Sequence, residues 1–454
     1  MSGTTRLRVC AGAVILACAP MALGQACLRQ TQREPGLVAA GQFADNFGVA
    51  MSADGTTAIV GARGENKAYP YIRSGSTWVR QGPALSPIGS LGATPEFGGF
   101  AAMSADGNTA LLGAVGDNAY IGAAYVFVRS GGVWAQQARL LPTLPVGNGQ
   151  FGHVALSADG NTAMIGADFD GSSVGAAYAF TRAGTVWSPQ GTKIVPVGHV
   201  GAGHFGVSVR LSADGNTAVL GSFLEDGNNG AAYVLVRNAG VWSQQARIPQ
   251  PAAAIGASLF GLSSISDDGN TILVGAEGDD AARGAAYLFG RSGTVWSPIG
   301  SKIVPVGEMG LGNFGISSAF NSSGGRFVVG ARSDASVGAV YEFVRSGTSV
   351  VQLSRLTPTG ASAGSNFFGQ GLACSGDGSW IIAGSGLESG STGAAYFLRF
   401  CAPDFNCSGT IEVQDIFDFL NAWFAGDART DFNGLDGVSV QDIFDFLNAW
   451  FAGC

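Results

Sequence analysis

The chain has 454 residues, of which 46% are hydrophobic and only 12% charged, so a packed core is within reach and general disorder is excluded. With 24 basic against 32 acidic residues the formal net charge is -8, which argues against a nucleic-acid-binding surface. Glycine at 72 residues beside 16 prolines, with no Gly-X-Y period, excludes collagen and points to many tight turns.

The first 26 residues read as an export signal: Arg6 and Arg8 precede the apolar run "VCAGAVILACAPMALG", and small residues place the cleavage near Ala26. Gly24 is a poor fit at the third position before Cys27, which weighs against a lipid anchor on that cysteine. No later run of about 20 apolar residues offers a membrane span. The mature chain is therefore expected to be secreted or associated with the cell surface.

Residues 27–400 carry an internal repeat. The pair Phe-Gly recurs at Phe47, Phe97, Phe151, Phe205, Phe260, Phe314 and Phe368, at intervals of 50 to 55 residues. Each copy holds four strand-like segments. In the third copy they are Phe151 to Ser157, Thr162 to Ala167, Ala176 to Arg182, and a fourth from Val186 or Trp187, with tight turns between. Seven four-stranded sheets cover their faces when stacked radially, so a mainly β fold, a seven-bladed β-propeller, is expected. Trp78, Trp134, Trp187, Trp242 and Trp296 fall at one repeat position and fit as packing between blades at the wide outer rim. The seventh copy stops after its third strand at Phe400, whereas Leu28 to Gln32 resemble a fourth strand; pairing the two would close the ring and remove its edges.

Two further regularities recur. An acid stands four residues after the glycine of each Gly-Ala or Gly-Ser pair: Glu65, Asp117, Asp170, Glu225, Asp279, Asp334 and Glu388. These predict a ring of carboxylates at one mouth, serving either to shape each loop or to attract cations or a basic partner. On the third strands Tyr, an apolar residue and Arg alternate, as at Tyr125, Phe127 and Arg129, which places them on one sheet face. The three histidines, His153, His199 and His204, share no repeat position and read as ordinary turn or surface residues. No triad, zinc spacing, P-loop or Gly-x-Ser-x-Gly elbow is present, so no catalytic residue is assigned and the chain is expected not to be an enzyme.

The Phe-Gly, Gly-Ala and "GAAY" segments resemble the FG-GAP repeat family, in the form with an S-x-D-G-N-T turn, over roughly residues 41–400. The resemblance implies a propeller related to the integrin alpha-subunit head, whose usual work is binding. The turn "SADGNT" lacks the carboxylates of an integrin-type calcium loop, so blade-borne calcium is not expected.

Residues 401–454 change character. "DFNCSGTIEVQDIFDFLNAWFAG" from Asp404 is followed 27 residues on by "DFNGLDGVSVQDIFDFLNAWFAG" from Asp431, a duplicated loop and helix. Oxygen ligands at alternate loop positions suit a hard cation such as calcium. The candidates are Asp404, Asn406, Ser408, Thr410, Glu412 and Asp415 in the first loop, and Asp431, Asn433, Asp436, Ser439 and Asp442 in the second. Leu435 at the fifth position makes the second loop the poorer cage. On the helices, Ile416, Leu420, Trp423, Ile443, Leu447 and Trp450 have the spacing to pack together, leaving Phe417, Phe419, Phe424, Phe444, Phe446 and Phe451 as an apolar surface for a partner. This tail resembles a dockerin domain of the type ending in Gly-Cys, which implies calcium-dependent attachment to a cohesin-like or other surface receptor. Five cysteines survive cleavage; Cys374 falls on an inner strand, and Cys27, Cys401, Cys407 and Cys454 are disulfide candidates whose pairing stays open.

The expected function is a secreted, non-catalytic binding or display protein: a propeller for an unknown protein or glycan ligand, held by a calcium-dependent tail. The alternative is a dockerin-tethered carbohydrate-binding or polysaccharide-degrading protein.

Overall fold

A computed structural model describes residues 27–36, 44, 48–361, 364, 366–401, 403–405, 411–427, 430, 432 and 438–452. The export signal, Phe47, Cys407, Cys454 and several tail-loop residues lie outside these. Seven antiparallel four-stranded sheets form a β-propeller, six of them ordered by chain position from the inside outwards. The third blade is typical: inner strand His153–Leu156, then Thr162–Ala167, Ala176–Ala183 and outer strand Val186–Pro189. The outer strand of the seventh blade is the N-terminal segment Cys27–Pro35, paired with Ala394–Cys401 so that Cys27 lies opposite Cys401 in the backbone register.

The repeat's glycines are explained by what touches them. In the first six blades the glycine of the Gly-Ala or Gly-Ser pair sits against the Phe-Gly backbone of the following blade: a Cβ built at Gly166 would stand 1.9 Å from the Gly206 carbonyl oxygen, and at Gly113 1.9 Å from that of Gly152; in the seventh, Gly384 meets Ala44 instead. The glycine before the third strand is crowded by the same segment, with the Phe205 oxygen 2.1 Å from a Cβ at Gly175. Only a residue without a side chain lets the two backbones approach so closely. The phenylalanine of the pair is then driven between blades, as Phe151, Phe205, Phe260 and Phe314 are fully buried and meet a third-strand tyrosine edge to face at 5.2–5.8 Å.

At the opposite end the S-x-D-G-N-T turn locks itself. In the second blade Ser104 Oγ donates to Asp106 and accepts from the Thr109 amide, while Asp106 also takes the Asn108 amide. The turns then join one another around the channel through their backbones: Ala53 N–H donates to Ala105 O, Ala105 to Ala158, Ala158 to Ala213, Ala213 to Asp267, Ser322 to Gly376 and Gly376 back to Ala53, at 2.7–2.9 Å. At the outer rim the third-strand arginine reaches the preceding blade. Arg129 Nη1 donates to Thr57 Oγ1 at 2.9 Å and its guanidinium lies 5.6 Å from the Trp134 ring, whose Nε1 donates to Gln81 of that same blade. The same set recurs with Arg182, Trp187 and Gln137, and with Arg237, Trp242 and Gln190. The rim tryptophans thus seal blade to blade by polar as well as apolar contact.

The tail holds two helices, Val413–Phe424 and Val440–Ala452. Their core is Phe405, Phe419 and Phe446, the last two stacked at 4.0 Å. This corrects the expectation for Phe419 and Phe446: they are fully buried and unavailable to a partner. Each is the seventh residue of its helix, and the two rings meet across the pair. Phe417, Phe424, Phe444 and Phe451 remain exposed. The duplication is reciprocal in its polar contacts, because Trp423 Nε1 donates to Ser439 O and Trp450 Nε1 to Glu412 O, each tryptophan tying its helix to the start of the other.

Replacing Gly166 with alanine should lower folding stability by about 3 kcal/mol, because neither backbone can retreat without breaking its own ladder. Chemical denaturation of the variant checks this; a midpoint like the wild type would show that the blades can separate at no cost.

Candidate functional site at the mouth of the propeller

The ends of the second strands, the starts of the inner strands and the connections between them share one end of every blade, as the pairing of His153 with Gly166 and of Ala167 with Ala176 shows. The repeated acids lie here. They do not face the mouth as free charges: Asp117, Asp170, Glu225, Asp279, Asp334 and Glu388 are at most 2% exposed. Each opens a tight left-handed turn and accepts a bond from the third-strand tyrosine, such as Tyr125 to Asp117 at 2.5 Å and Tyr233 to Glu225 at 2.7 Å. A base on or just after the fourth strand completes each of five groups: Arg139 on Asp117, Lys193 on Asp170, Arg247 on Glu225, Lys302 on Asp279 and Arg355 on Asp334, at 2.6–3.0 Å. In the seventh blade the base is Arg33, from the N-terminal strand, on Glu388. Burial opposes ionisation of Asp334, yet Arg355 and Tyr341 overcome it and hold its carboxyl below the usual range. Burial and the neighbouring carboxylate push the Tyr125 and Tyr178 phenols up. In the first blade Glu65 is only half-buried and is held by Tyr69 at 2.6 Å, with Arg80 lying over the Tyr69 ring. The ring of acids therefore pins loops: Leu91, Ile255 and Met309 amides also donate to Asp117, Asp279 and Asp334.

Chemical variety enters at the positions where the repeats disagree. One follows the Gly-Ala or Gly-Ser pair: Arg63, Val115, Asp168, Phe223, Glu277, Arg332 and Gly386. Another precedes Phe-Gly: Glu96, Gln150, His204, Leu259, Asn313 and Phe367. All six of the latter are non-glycine residues with φ of 53–59°, the left-handed region that costs roughly 1 kcal/mol or more per residue. The fold holds these side chains at the mouth against their own preference.

Three polar groups form there. Arg63 meets Glu96 at 3.8 Å, and Glu277 meets Arg332 at 3.0 Å, with Phe367 beneath the Arg332 guanidinium. The third is the most enclosed. Asp168 is 4% exposed and bridges two imidazoles: His153 Nε2 lies 3.0 Å from Oδ1, and His204 Nδ1 lies 3.2 Å from Oδ2. Phe100 packs on the His153 ring at 4.1 Å and Phe169 on the His204 ring at 4.5 Å. Burial disfavours the Asp168 anion, but His153 and His204 more than offset this and hold the carboxyl below its usual range. An ionised carboxylate only accepts hydrogen bonds, so it assigns the proton of His153 to Nε2 and that of His204 to Nδ1. The opposite nitrogen of each ring is left as a hydrogen-bond acceptor, and His153 Nδ1 is buried with no hydrogen-bond partner. An oriented imidazole backed by a carboxylate is equipped to take and return a proton.

This corrects the reading of His153 and His204 as ordinary turn or surface residues; His199 is indeed exposed. The two lie 51 residues apart in different repeats, and only the docking of the third blade on the fourth joins them. The available signal was their placement two residues after Phe151 and one before Phe205, where neighbouring repeats carry unrelated residues.

In the tail, Asp404, Asp415 and Asp442 are fully buried, and Glu412 and Ser439 donate their amides to Asp415 and Asp442. Asn406, Ser408, Thr410, Asp431, Asn433 and Asp436 lie outside the described residues, and among those described no three acid, histidine or cysteine side chains converge as a metal cage. Burial pushes the Cys374 thiol up to about 12, making it inert at neutral pH. The side chains of Cys27 and Cys401, like Cys407 and Cys454, are outside the described set.

No protein-family profile and no curated protein matches the chain. Solved structures do. The hydrazine synthase structure of Kuenenia stuttgartiensis aligns at 14% identity over 77% of this chain and 93% of that one, with a TM-score of 0.51. The periplasmic gluconolactonase PpgL of Pseudomonas aeruginosa aligns at 17% identity over 73% and 89%, also with a TM-score of 0.51. Such identities establish the shared propeller fold. They also overturn the expectation of a non-catalytic display protein and of a chain that is not an enzyme: structures titled as enzymes share this architecture, so the want of a linear catalytic motif excludes nothing.

Asp168 and the turn residues Asp106, Asp159, Asp214 and Asp268 all have carboxyls held below their usual range, burial being outweighed by their hydrogen-bonding partners. A depressed folded-state value stabilises above the unfolded carboxylate pKa, about 4, and is lost as pH falls through the folded values. The melting temperature is therefore expected to drop steeply below about pH 4, and Asp168→Asn to lower it at neutral pH while removing part of that acid slope. Thermal melts across pH check both; parallel curves for the two proteins would refute the assignment of Asp168.

Proposed function

We propose that the chain is an exported propeller enzyme that performs acid–base hydrolysis at its mouth, on a small ester or lactone. The observation that carries this reading is the buried Asp168 holding His153 and His204 in defined tautomers. In this reading His204, oriented by Asp168 through Nδ1, takes a proton at Nε2 from water as the water attacks the carbonyl, and the protonated imidazole returns it to the leaving oxygen. His153 shares the same carboxylate and, with its Nδ1 buried, acts as a positioning residue that holds Asp168 in place. The gluconolactonase among the structural neighbours makes a sugar lactone the first substrate to test. The FG-GAP resemblance is consistent with the glycine contacts between blades, and the export signal with a location outside the cytoplasm.

The full chain should hydrolyse glucono-1,5-lactone or 4-nitrophenyl acetate, followed by pH-stat and absorbance. Asp168→Asn and His204→Gln should each lower kcat/KM by about 100-fold or more. Turnover that survives both variants, or no turnover of either substrate class by a folded wild type, would rule the reading out.

The tail supports a second, separate assignment: calcium binding in the dockerin-like loops and attachment of the propeller to a surface receptor. The full burial of Asp404 and Asp415 at the ends of the first loop suits carboxylates that close around a cation. Calcium added to chelator-treated full chain should bind by calorimetry, and Asp404→Asn should weaken binding about tenfold or more. Equal heats with and without Asp404 would remove the first loop from consideration.

A further inference from the structure

We propose that the outer rim between the fifth and sixth blades holds an open socket for the ring of a small planar aromatic ligand of the indole class. At this rim the second to fifth blades each carry a tryptophan opposite the third-strand arginine: Trp134 faces Arg129, Trp187 faces Arg182, Trp242 faces Arg237 and Trp296 faces Arg291 in the strand register. Each of these guanidiniums lies 5.3–5.6 Å from its ring, and each indole N–H donates to a glutamine of the preceding blade. The sixth blade keeps the arginine, Arg345, but places Val350 opposite it.

The smaller residue has two effects on the structure. A groove of about 360 Å³ opens between the outer strands of the two blades, walled by Ile303, Val304 and Val306 on the fifth-blade side and by Phe343, Thr348 and Val350 on the sixth. Arg345, with no tryptophan to lie against, makes one side-chain hydrogen bond among the described residues, to the Gly347 carbonyl oxygen at 3.4 Å, and its Nε is buried without a hydrogen-bond partner. A donor withdrawn from water and left unbonded costs free energy. In the four preceding blades an aromatic face lies beside the same guanidinium.

The chemistry of the walls selects the ligand. The long polar side chains of the groove are already engaged: Lys302 Nζ lies 2.6 Å from Asp279, and Gln352 accepts from the Val306 amide while donating to the Val306 carbonyl oxygen. The apolar walls remain, and Val304 and Val306 are 52% and 72% exposed, so a ring seated there takes apolar surface out of water. Three residues after the rim tryptophan, where Gln81, Gln137, Gln190 and Gln245 receive an indole N–H from the next blade, the fifth blade has Ile299. The socket therefore holds a ring by its faces and not by a donor. Its volume falls in the range of small-molecule sites, about 300–1,000 Å³. The site is independent of the hydrolytic reading of the mouth.

The test is ligand-observed NMR titration of the full chain with indole, and with cyclohexanol as the non-aromatic control. Indole should bind about threefold or more tightly than cyclohexanol. Val350→Trp, which gives the sixth blade the residue of its neighbours, should abolish indole binding and raise the melting temperature. Arg345→Met, which leaves the groove open, should weaken indole by about threefold, and it keeps the test decisive where the tryptophan variant does not fold. Indole binding that persists in a folded Val350→Trp or is unchanged in Arg345→Met would overturn the socket. So would equal binding of indole and cyclohexanol, or an absence of indole binding by the folded wild type.

Discussion

The close approach of one blade's second strand to the next blade's Phe-Gly backbone is the contact on which the rest of the molecule depends. Gly166 on Gly206, repeated around the ring, sets the distance between sheets at the mouth. Once that distance is set, Phe151 and its equivalents have only the space between blades to fill, and the third-strand tyrosines meet them edge to face. The crossing of backbone on backbone excludes a side chain on the second-strand partner, which is why that glycine recurs in every blade.

Charge is sparse and much of it holds loops. In blades two to seven the buried acid, the tyrosine and a base form one neutralised unit, and in the seventh blade Arg33 from the far end of the chain supplies the base. At the outer rim the Arg129, Trp134 and Gln81 set performs the same work between blades. A rigid, internally neutral frame results. Residues that depart from the repeat can then be strained or charged without unfolding their neighbours, and the left-handed residues before Phe-Gly are instances of this.

This division explains where chemistry concentrates. Positions identical in every blade are occupied by packing, so a site can only arise where blades differ. Asp168 with two histidines at the mouth, and Val350 in place of a rim tryptophan, are such departures.

Periodicity by itself determined the architecture. The Phe-Gly spacing, the alternation in "GAAYAFTR" and the missing fourth strand of the last copy specify seven sheets, because a repeated unit with two apolar faces must be covered by its own copies. The helix pair of the tail was legible for the same reason, although periodicity could not say which of its many phenylalanines meet; Phe419 and Phe446 turned inwards because the duplicate helices cross there. Only the tertiary structure decided the orientation of the repeated acids, which point into the blades and not into the mouth, since their tyrosine and lysine or arginine partners lie on other strands. It alone joined His153 to His204, because radial stacking brings the start of one blade beside the start of the next while the chain between them travels out to the rim and back.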